Sequence, residues 1–254
     1  MPPSPWPYLD HPGVLAFAHR GGAGERPENT LAAFEHAVRL GYRHVETDVR
    51  VTADGVLVAF HDETLDRVTD HGGLVRELPW STVRHARVAG TEPPLLLEDL
   101  LGAWPDLRVN VDAKDDAAVE PLAAVVRRTA SLDRVGVGGF SGRRLRRLRR
   151  LLGPRLCAAL GPLGVARLRA ASVVGIPTGR LAAACVQVPV RTRRVPLVDG
   201  RFVAAAHRRG LQVHVWTVDD PTEMARLLDL GVDGLMTDRP SVLKGVLEAR
   251  GDWA

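Results

Sequence analysis

The sequence predicts an α/β protein, a TIM (β/α)8 barrel of parallel strands that alternate with helices. Its 254 residues match the roughly 250 residues that such barrels use as one domain. Short apolar runs alternate about eight times with longer runs of helical periodicity, and no linker separates two halves. Polar residues cluster where apolar runs end, which is where barrels of this kind carry their sites. We therefore expect residues 1–254 to form one barrel domain, with a small insertion or lid at about residues 62–94 after the second strand.

The first strand and helix are predicted within residues 14–41. Residues 14–18 (VLAFA) form a continuous apolar run, as expected for a strand that is buried on both faces of a parallel sheet. Glycines at positions 21 and 22 allow a sharp turn, and apolar residues then repeat at helical spacing until Gly41. His19 and Arg20 follow the strand directly, so we expect both at the mouth of the barrel.

The second strand carries acidic side chains. Residues 44–51 (HVETDVRV) alternate, with valines and a threonine on one face and Glu46 and Asp48 on the other. Both faces of a barrel strand are covered, so buried carboxylates are costly unless they are paired or bind a cation. A second apolar run at residues 56–60 then predicts a hairpin excursion that delivers His61 to the mouth.

The rest of the chain predicts the remaining strands and helices. Residues 66–94 are polar and irregular, with a short helix around residues 80–85. The third strand, residues 107–113, ends in Asp112 and is followed by Lys114. The other predicted elements are helices at 95–103, 117–130, 143–152, 163–171, 199–209, 221–230 and 240–249, and strands at 134–138, 155–160, 184–189, 212–218 and 233–237, with Trp216 near the end of the strand at 212–218.

The charge balance mildly favours acidic partners. The formal net charge is +4 and the pI is about 9.6, but there is no dense basic tail of the kind that binds nucleic acid. Much of the excess lies in one run, RRLRRLRR at residues 143–150, whose leucines keep helical spacing. A solvated helix face explains this run most simply, and contact with an anionic surface or membrane is the alternative. Cys157 and Cys185 lie in apolar runs and are expected to be free thiols.

The N-terminus, MPPSPWPYLDHPG, has prolines where a signal peptide needs a basic start and an apolar core. No apolar stretch reaches the roughly 18 residues of a membrane span. We therefore expect a cytoplasmic protein without stable membrane insertion. No heptad pattern indicates a defined interface, so a monomer or a weak homo-oligomer is expected.

The residues at the strand ends indicate a metal-assisted site for phosphate. Two or three carboxylates without a paired histidine or cysteine set favour Mg²⁺ or Ca²⁺ over zinc. Together with Arg20 and Lys114, such a cation makes a pocket for an anionic oxygen group, most simply a phosphate. His19 and His61 can exchange protons at neutral pH. A metal-dependent phosphodiesterase uses all of these groups.

Simpler interpretations exist for the same residues. The acidic pair on the second strand can form ion pairs with Arg43 or Arg50, Lys114 can form a surface salt bridge with Asp115 or Asp116, and Trp216 can be barrel packing. Six further histidines are expected to be solvated or hydrogen-bonded rather than functional: His36, His44, His71, His85, His207 and His214.

The sequence also resembles the glycerophosphodiester phosphodiesterase family. The motifs that carry the resemblance are AHRG at residues 18–21 with PENT at 27–30, the ExD pair at Glu46 and Asp48, HD at 61–62, VHVWTVDD at 213–220, and DGLMTD at 233–238. They follow the family's order over nearly the whole chain.

This resemblance implies a barrel enzyme that hydrolyses glycerophosphodiesters to glycerol 3-phosphate and an alcohol with a divalent cation. It also implies a role for each matching position: His19 and His61 as the acid–base pair, Arg20 and Lys114 as phosphate ligands, Glu46 and Asp48 as metal ligands, and Trp216 as an apolar wall for the glycerol or the alcohol. Two positions depart from the family pattern. Asp112-Ala113-Lys114 replaces the usual Glu-x-Lys, which keeps Asp112 as a metal ligand with a shorter arm, and Gly139-Phe140-Ser141 stands where the family tends to have Ser-Phe.

The sequence leaves parts of the mechanism and two rival functions open. Either histidine can be the acid, and the nucleophile is water or the neighbouring glycerol hydroxyl by way of a cyclic phosphate. One rival is a catalytically weak barrel that binds phosphodiesters as a sensor. The other is a lysophospholipase D or sphingomyelinase D-like barrel enzyme that acts on lipids.

Overall fold

Eight parallel strands and the helices between them form a barrel in the computed structural model, which describes residues 6–174, 179, 181–192 and 195–253. The strands in chain order are β1 (Leu15–Ala18), β2 (His44–Val51), β3 (Leu57–Ala59), β4 (Leu95–Leu96), β5 (Arg108–Ala113), β6 (Val135–Gly138), β7 (Cys157–Ala158), β8 (Cys185–Pro189), β9 (Arg191–Thr192), β10 (Val195–Pro196), β11 (Gln212–Trp216) and β12 (Gly234–Thr237). Around the barrel the order is β1-β2-β5-β6-β7-β8-β11-β12. A parallel bridge between Ala159 and Cys185 joins β7 to β8 and closes the ring. The predicted barrel fold is confirmed.

The helices pack around the outside of this ring. They are α1 (Leu31–Arg39), α2 (Trp80–Val83), α3 (Leu97–Ala103), α4 (Val119–Arg128), α5 (Gly142–Leu152), α6 (Pro162–Val174), α7 (Gly200–His207), α8 (Pro221–Asp229) and α9 (Pro240–Arg250). Side-chain oxygens of Thr30, Ser141, Asp199 and Asp220 accept backbone N–H groups at the starts of α1, α5, α7 and α8. These caps satisfy donors that have no partner within the helix. Each described helix is too short or too polar to traverse a lipid bilayer.

Several predicted elements have other bounds in the structure, since the helix predicted at 163–171 extends to Val174 and the strand predicted at 212–218 ends at Trp216. The helix predicted at 95–103 begins at Leu97, because Leu95 and Leu96 pair as a strand with β3. The strand predicted at 155–160 is shortened to Cys157–Ala158, since the chain then bends toward β8, where the Leu160 N–H donates to the Cys185 carbonyl. The predicted insertion is irregular and contains α2, and it packs on a small apolar cluster of its own.

The main hydrophobic core lies between the outer faces of the strands and the helices. Val45 and Val49 of β2 are fully buried there with Phe34 of α1 and Phe202 of α7. This placement confirms the alternation predicted for β2, because the acidic side chains of the same strand point into the barrel. The burial of apolar side chains on the outer face therefore fixes which residues reach the interior.

A second cluster fills the end of the barrel that lies away from the mouth. Tyr8 and Phe17 are buried there with Met236. The ring of His44 packs edge-on against Tyr8 and Phe17, with ring centroids 5.5 and 5.1 Å apart, and the His44 Nε2 is 3.1 Å from the Tyr8 carbonyl oxygen. Residues before β1 therefore close the barrel from below.

Substitution of Gly136 tests this closure. A methyl group at position 136 of β6 would lie 2.5 Å from the Tyr8 ring, so Gly136→Ala should destabilise the fold by about 1–3 kcal/mol through overpacking. Chemical denaturation measures the loss. The matched control is Gly245→Ala in α9, where nothing lies within 4 Å of the new methyl and helix propensity predicts a gain of about 0.5–1 kcal/mol. Equal effects of the two substitutions would contradict the packing of Tyr8.

Candidate active site

The turn after β1 places His19 and Arg20 at the mouth. Residues His19–Gly21 form a tight turn, in which Arg20 takes a left-handed backbone conformation with φ of 52°. This conformation is uncommon for a residue with a side chain and clusters at functional sites. It is held by two hydrogen bonds: the Arg20 N–H donates to Glu46 Oε2 at 3.2 Å, and the Arg20 carbonyl accepts from Asn29 N–H at 2.9 Å.

Three buried carboxylates line the mouth from two neighbouring strands. Glu46 and Asp48 come from β2 and Asp112 from β5, where Asp48 and Asp112 are paired in register. Their exposed fractions are 5%, 1% and 8%. The register places these charges side by side in a poorly solvated space, so each needs a positive partner.

Lys114 and Arg20 supply the positive charge. The Lys114 Nζ lies 2.7 Å from Asp48 Oδ1 and 2.9 Å from Asp112 Oδ2, and the Arg20 Nε lies 3.0 Å from Asp48 Oδ2. Burial alone would raise the pKa of Asp48, but Lys114 and Arg20 outweigh it and hold that pKa below its usual value. The acidic residues are therefore paired within the cluster and not with Arg43 or Arg50.

The pKa values of Glu46 and Asp112 are shifted upward instead. Burial, reinforced by the charge of Asp48, raises the pKa of Glu46 to about 7. Burial also raises the pKa of Asp112, although Lys114 opposes it. The mouth therefore holds more carboxylate than its two basic side chains can neutralise.

His19 sits between two carboxyl groups. Its Nδ1 is 2.7 Å from Asp238 Oδ1, and its Nε2 is 3.6 Å from Glu46 Oε2. Burial would lower the pKa of His19, but the charge of Glu46 and the hydrogen bond to Asp238 outweigh it and raise the pKa above its usual value. Asp238 follows β12 directly and is itself fixed by Asp219, whose Oδ1 accepts the Asp238 N–H at 2.8 Å.

Sequence reasoning did not single out Asp238. The signal was present as the last residue of the DGLMTD motif, an acidic residue directly after a predicted strand. Like the other mouth residues, it therefore stands at the carboxyl end of a barrel strand.

His61 lies just after β3 and, like His19, is bonded to a carboxylate. Its Nδ1 lies 2.5 Å from Asp62 Oδ1. Asp62 also accepts hydrogen bonds from Arg67, which bonds in turn to Glu28 at 2.8 and 3.0 Å, and Glu28 accepts from Arg20 at 3.1 Å. The bond from Arg67 lowers the pKa of Asp62 to about 2. Arg67 and Glu28, which the sequence reasoning missed, therefore connect the insertion to the turn after β1.

An aromatic pair forms part of the rim. The ring of Trp216 at the end of β11 meets Phe140 edge-on, with centroids 5.5 Å apart. Trp216 also packs against the apolar cluster inside the barrel, whereas Phe140 is 67% exposed. Ser141, beside it, caps α5 through a bond from the Arg144 N–H.

The other histidines lie outside this arrangement. His36, His71 and His207 bond to Glu25, Asp70 and Asp233 respectively, and His44 and His214 are buried and hydrogen-bonded inside the barrel. Both cysteines are free and buried. Across the described ranges, no three histidine, cysteine or acidic side chains converge closely enough to hold a metal ion, because Lys114 and Arg20 occupy the space between the carboxylates.

An eight-stranded barrel whose mouth holds two carboxylate-bound histidines, buried acidic groups and two basic side chains defines a phosphodiesterase of the TIM-barrel class. The chain belongs to the glycerophosphoryl diester phosphodiesterase family, whose family model matches residues 19–242. The family predicted from the motifs is therefore confirmed.

Individual relatives agree with this assignment. The chain is 43% identical to the protein named "Probable glycerophosphodiester phosphodiesterase 2" of Mycobacterium tuberculosis, over 97% of this chain and 95% of that protein. The crystal structure of a glycerophosphodiester phosphodiesterase from Agrobacterium tumefaciens matches with a TM-score of 0.75 at 26% identity, over 91% of this chain and 99% of that one. A phosphodiesterase from Oleispira antarctica, solved with the product sn-glycerol-3-phosphate, shares the fold with a TM-score of 0.77 at 22% identity, over 93% and 97% of the two chains.

The contact between His19 and Asp238 makes a prediction about titration. Asp238→Asn removes one of the two carboxylates that raise the pKa of His19, so the His19 ring should release its proton at lower pH than in the wild type. Histidine NMR signals followed against pH, with His19→Ala for assignment, measure this shift. Asp70→Asn, which removes the carboxylate beside His71, is the matched control and should leave the His19 signal unchanged. A His19 pKa that stays unchanged in Asp238→Asn would refute the coupling.

Proposed function

We propose that this protein hydrolyses glycerophosphodiesters to glycerol 3-phosphate and an alcohol, with a divalent cation and with His19 and His61 as the proton-transfer groups. The observation that carries the proposal is the shared arrangement of the two histidines. In both, Nδ1 is bonded to the carboxylate of a residue at the mouth, Asp238 for His19 and Asp62 for His61. Such a bond fixes the ring and leaves Nε2 as the atom that exchanges protons.

Arg20 and Lys114 are suited to the phosphate. Both cations lie at the mouth beside Asp48, and both are only partly exposed, at 17% and 15% of their side chains. Charge-assisted hydrogen bonds from such groups bind phosphate oxygens strongly in a poorly solvated space. The complex of the Oleispira antarctica protein with sn-glycerol-3-phosphate supports a product of this kind.

Glu46, Asp48 and Asp112 would hold the divalent cation by closing around it, with Lys114 and Arg20, which lie between these carboxylates in this structure, turned toward the phosphate. The Lys114 ammonium contacts Asp48 Oδ1 and Asp112 Oδ2, and the Arg20 guanidinium contacts Asp48 Oδ2, so positive charge is already bound at this place. Carboxylate oxygens are the donors that Mg²⁺ and Ca²⁺ prefer. A bound cation would polarise the phosphate oxygens and offset the charge that develops in the transition state.

Side chains of the protein bind the phosphate and transfer the protons. Arg20 and Lys114 bind and orient the phosphate, one histidine protonates the leaving alkoxide, and the other takes the proton from the nucleophile. That nucleophile is water, or the adjacent glycerol hydroxyl, which expels the alcohol to form a cyclic phosphate that water then opens to glycerol 3-phosphate. Trp216 and Phe140 provide an apolar wall for the uncharged part of the substrate.

A lysophospholipid is the second candidate substrate. Phe140 is 67% exposed at the rim, and an exposed aromatic ring beside a phosphate site favours a substrate with an apolar portion. Release of choline from lysophosphatidylcholine, compared with release from glycerophosphocholine, distinguishes the two candidates.

Removal of either histidine should abolish most of the activity. We expect His19→Ala and His61→Ala to lower the release of glycerol 3-phosphate from glycerophosphocholine and glycerophosphoethanolamine by about 10²–10⁴-fold, the usual contribution of a proton-transfer group. EDTA should remove the activity, and Mg²⁺ or Ca²⁺ should restore it. His71→Ala, in the insertion but paired with Asp70, should keep wild-type activity. A wild type that binds glycerol phosphate but is inactive with every cation would instead support the sensor function.

Cation binding has a readout that does not depend on turnover. A cation at one hundred times its Kd should stabilise the fold by about 2.7 kcal/mol, which thermal unfolding with and without Mg²⁺ or Ca²⁺ detects. Asp112→Ala should reduce this stabilisation, whereas Asp116→Ala, four residues further along at an exposed position, should not. An equal rise in Tm for the two variants would remove Asp112 from the cation site.

A further inference from the structure

Helix α6 exposes apolar side chains on its outward face. Leu168 and Ala171 are buried against the barrel, whereas Leu163, Val173 and Val174 are exposed by 77%, 55% and 61%, with Arg167 exposed among them. Exposed alanines at positions 166 and 170 continue this stripe at helical spacing. A helix on the surface of a globular protein normally turns a polar face outward, so the outer face of α6 indicates a partner that accepts apolar side chains.

The neighbouring helix α5 has the opposite character. Its sequence is GRRLRRLRRLL, with no acidic residue, and Leu145 and Leu148 are buried beneath it. Some of its arginines are neutralised, since Arg143 pairs with Asp116 and Arg147 with Glu120. Other arginines of α5 and α6 are exposed and have no carboxylate within ion-pair distance among the described residues: Arg146, Arg150 and Arg167.

The two helices start close together at the mouth of the barrel. A side-chain carbon at Gly161, before α6, would lie 3.0 Å from the Gly142 Cα at the start of α5. Arg149 of α5 also donates a hydrogen bond to the Ala182 carbonyl, in the segment beyond α6. Phe140 precedes α5 at the rim and touches Trp216 of the site. The unpaired arginines, the apolar stripe and the rim therefore form one surface, which we call the α5–α6 face.

We propose that the α5–α6 face binds the surface of an anionic phospholipid bilayer. Unpaired arginines attract the negative headgroups, while Leu163, Val173, Val174 and Phe140 enter the boundary between headgroups and acyl chains, as in interfacial amphipathic helices. A nucleic acid would satisfy the arginines but would leave the apolar stripe in water. The interaction depends on α5 and α6 and holds whichever diester is hydrolysed.

Vesicle binding tests the proposal. Full-length protein should co-sediment with vesicles of phosphatidylcholine and phosphatidylglycerol and only weakly with phosphatidylcholine alone. Replacement of Arg146, Arg150 and Arg167 by Gln should weaken partitioning by about fivefold for each arginine, and so by about a hundredfold in the triple variant. Replacement of Leu163, Val173 and Val174 by Gln should remove the part of the binding that persists at high salt, because salt screens only the charge attraction.

A charge-matched control distinguishes the contribution of the α5–α6 face from an effect of the protein's net charge. Arg39, Arg43 and Arg208 are exposed arginines outside α5 and α6, and their replacement by Gln should leave partitioning within about twofold of the wild type, since few of those charges reach the bilayer. Hydrolysis of soluble glycerophosphocholine, or the Tm if hydrolysis is absent, confirms that each variant is folded.

Four outcomes would overturn the proposal. The first is a wild type that does not bind anionic vesicles at low salt, and the second is an equal loss of binding in the two arginine triple variants. The third is binding of duplex DNA without binding of vesicles. The fourth is dimerisation in solution that is lost when Leu163, Val173 and Val174 are all replaced by Gln. The last outcome would show that a second copy of the chain covers the apolar stripe.

Discussion

The structure of the mouth depends on one electrostatic constraint, the burial of Glu46, Asp48 and Asp112 in a space with little water. Ionised carboxylates in such a space are costly unless a positive charge lies close to them. Lys114 bridges Asp48 and Asp112, and Arg20 adopts an unusual backbone conformation beside the same cluster. Lys114 and Arg20 pair with Asp48 and Asp112, whereas the ring of His19 is the charged side chain beside Glu46. The oxygen donors of this cluster are the chemical reason to propose a divalent cation here.

The barrel positions this cluster through strand register and close backbone approach. Asp48 and Asp112 are adjacent because β2 and β5 pair in register. Asp112 also needs the space beside Gly139, whose backbone has a φ of 135° and where a methyl group would lie 2.3 Å from Asp112 Oδ1. Glycine suits both requirements, so Gly139 leaves room for the Asp112 carboxylate.

Much of this arrangement could be predicted from the sequence, because the periodicity of β2 alone assigns Glu46 and Asp48 to the interior. The barrel, the order of its strands and the gathering of residues at the mouth follow from such patterns. Contacts between distant segments could not be predicted, since no local pattern says that Asp238 reaches His19 or that Arg67 joins Asp62 to Glu28. The roles of the site residues, the cation, the cytoplasmic location and the oligomeric state remain predictions.

The two binding sites proposed for the molecule, the mouth and the α5–α6 face, differ in their charge. A net charge of +4 mildly favours acidic partners, yet the mouth contains more carboxylates than lysines and arginines. Helix α5 alone carries six arginines, more than the whole excess of the chain. A large share of the chain's positive charge therefore lies on the outer surface next to the mouth and not in the mouth itself. A cation in the mouth and an anionic surface against α5 would balance opposite charges a short distance apart, and Phe140, whose ring contacts Trp216, is common to both sites.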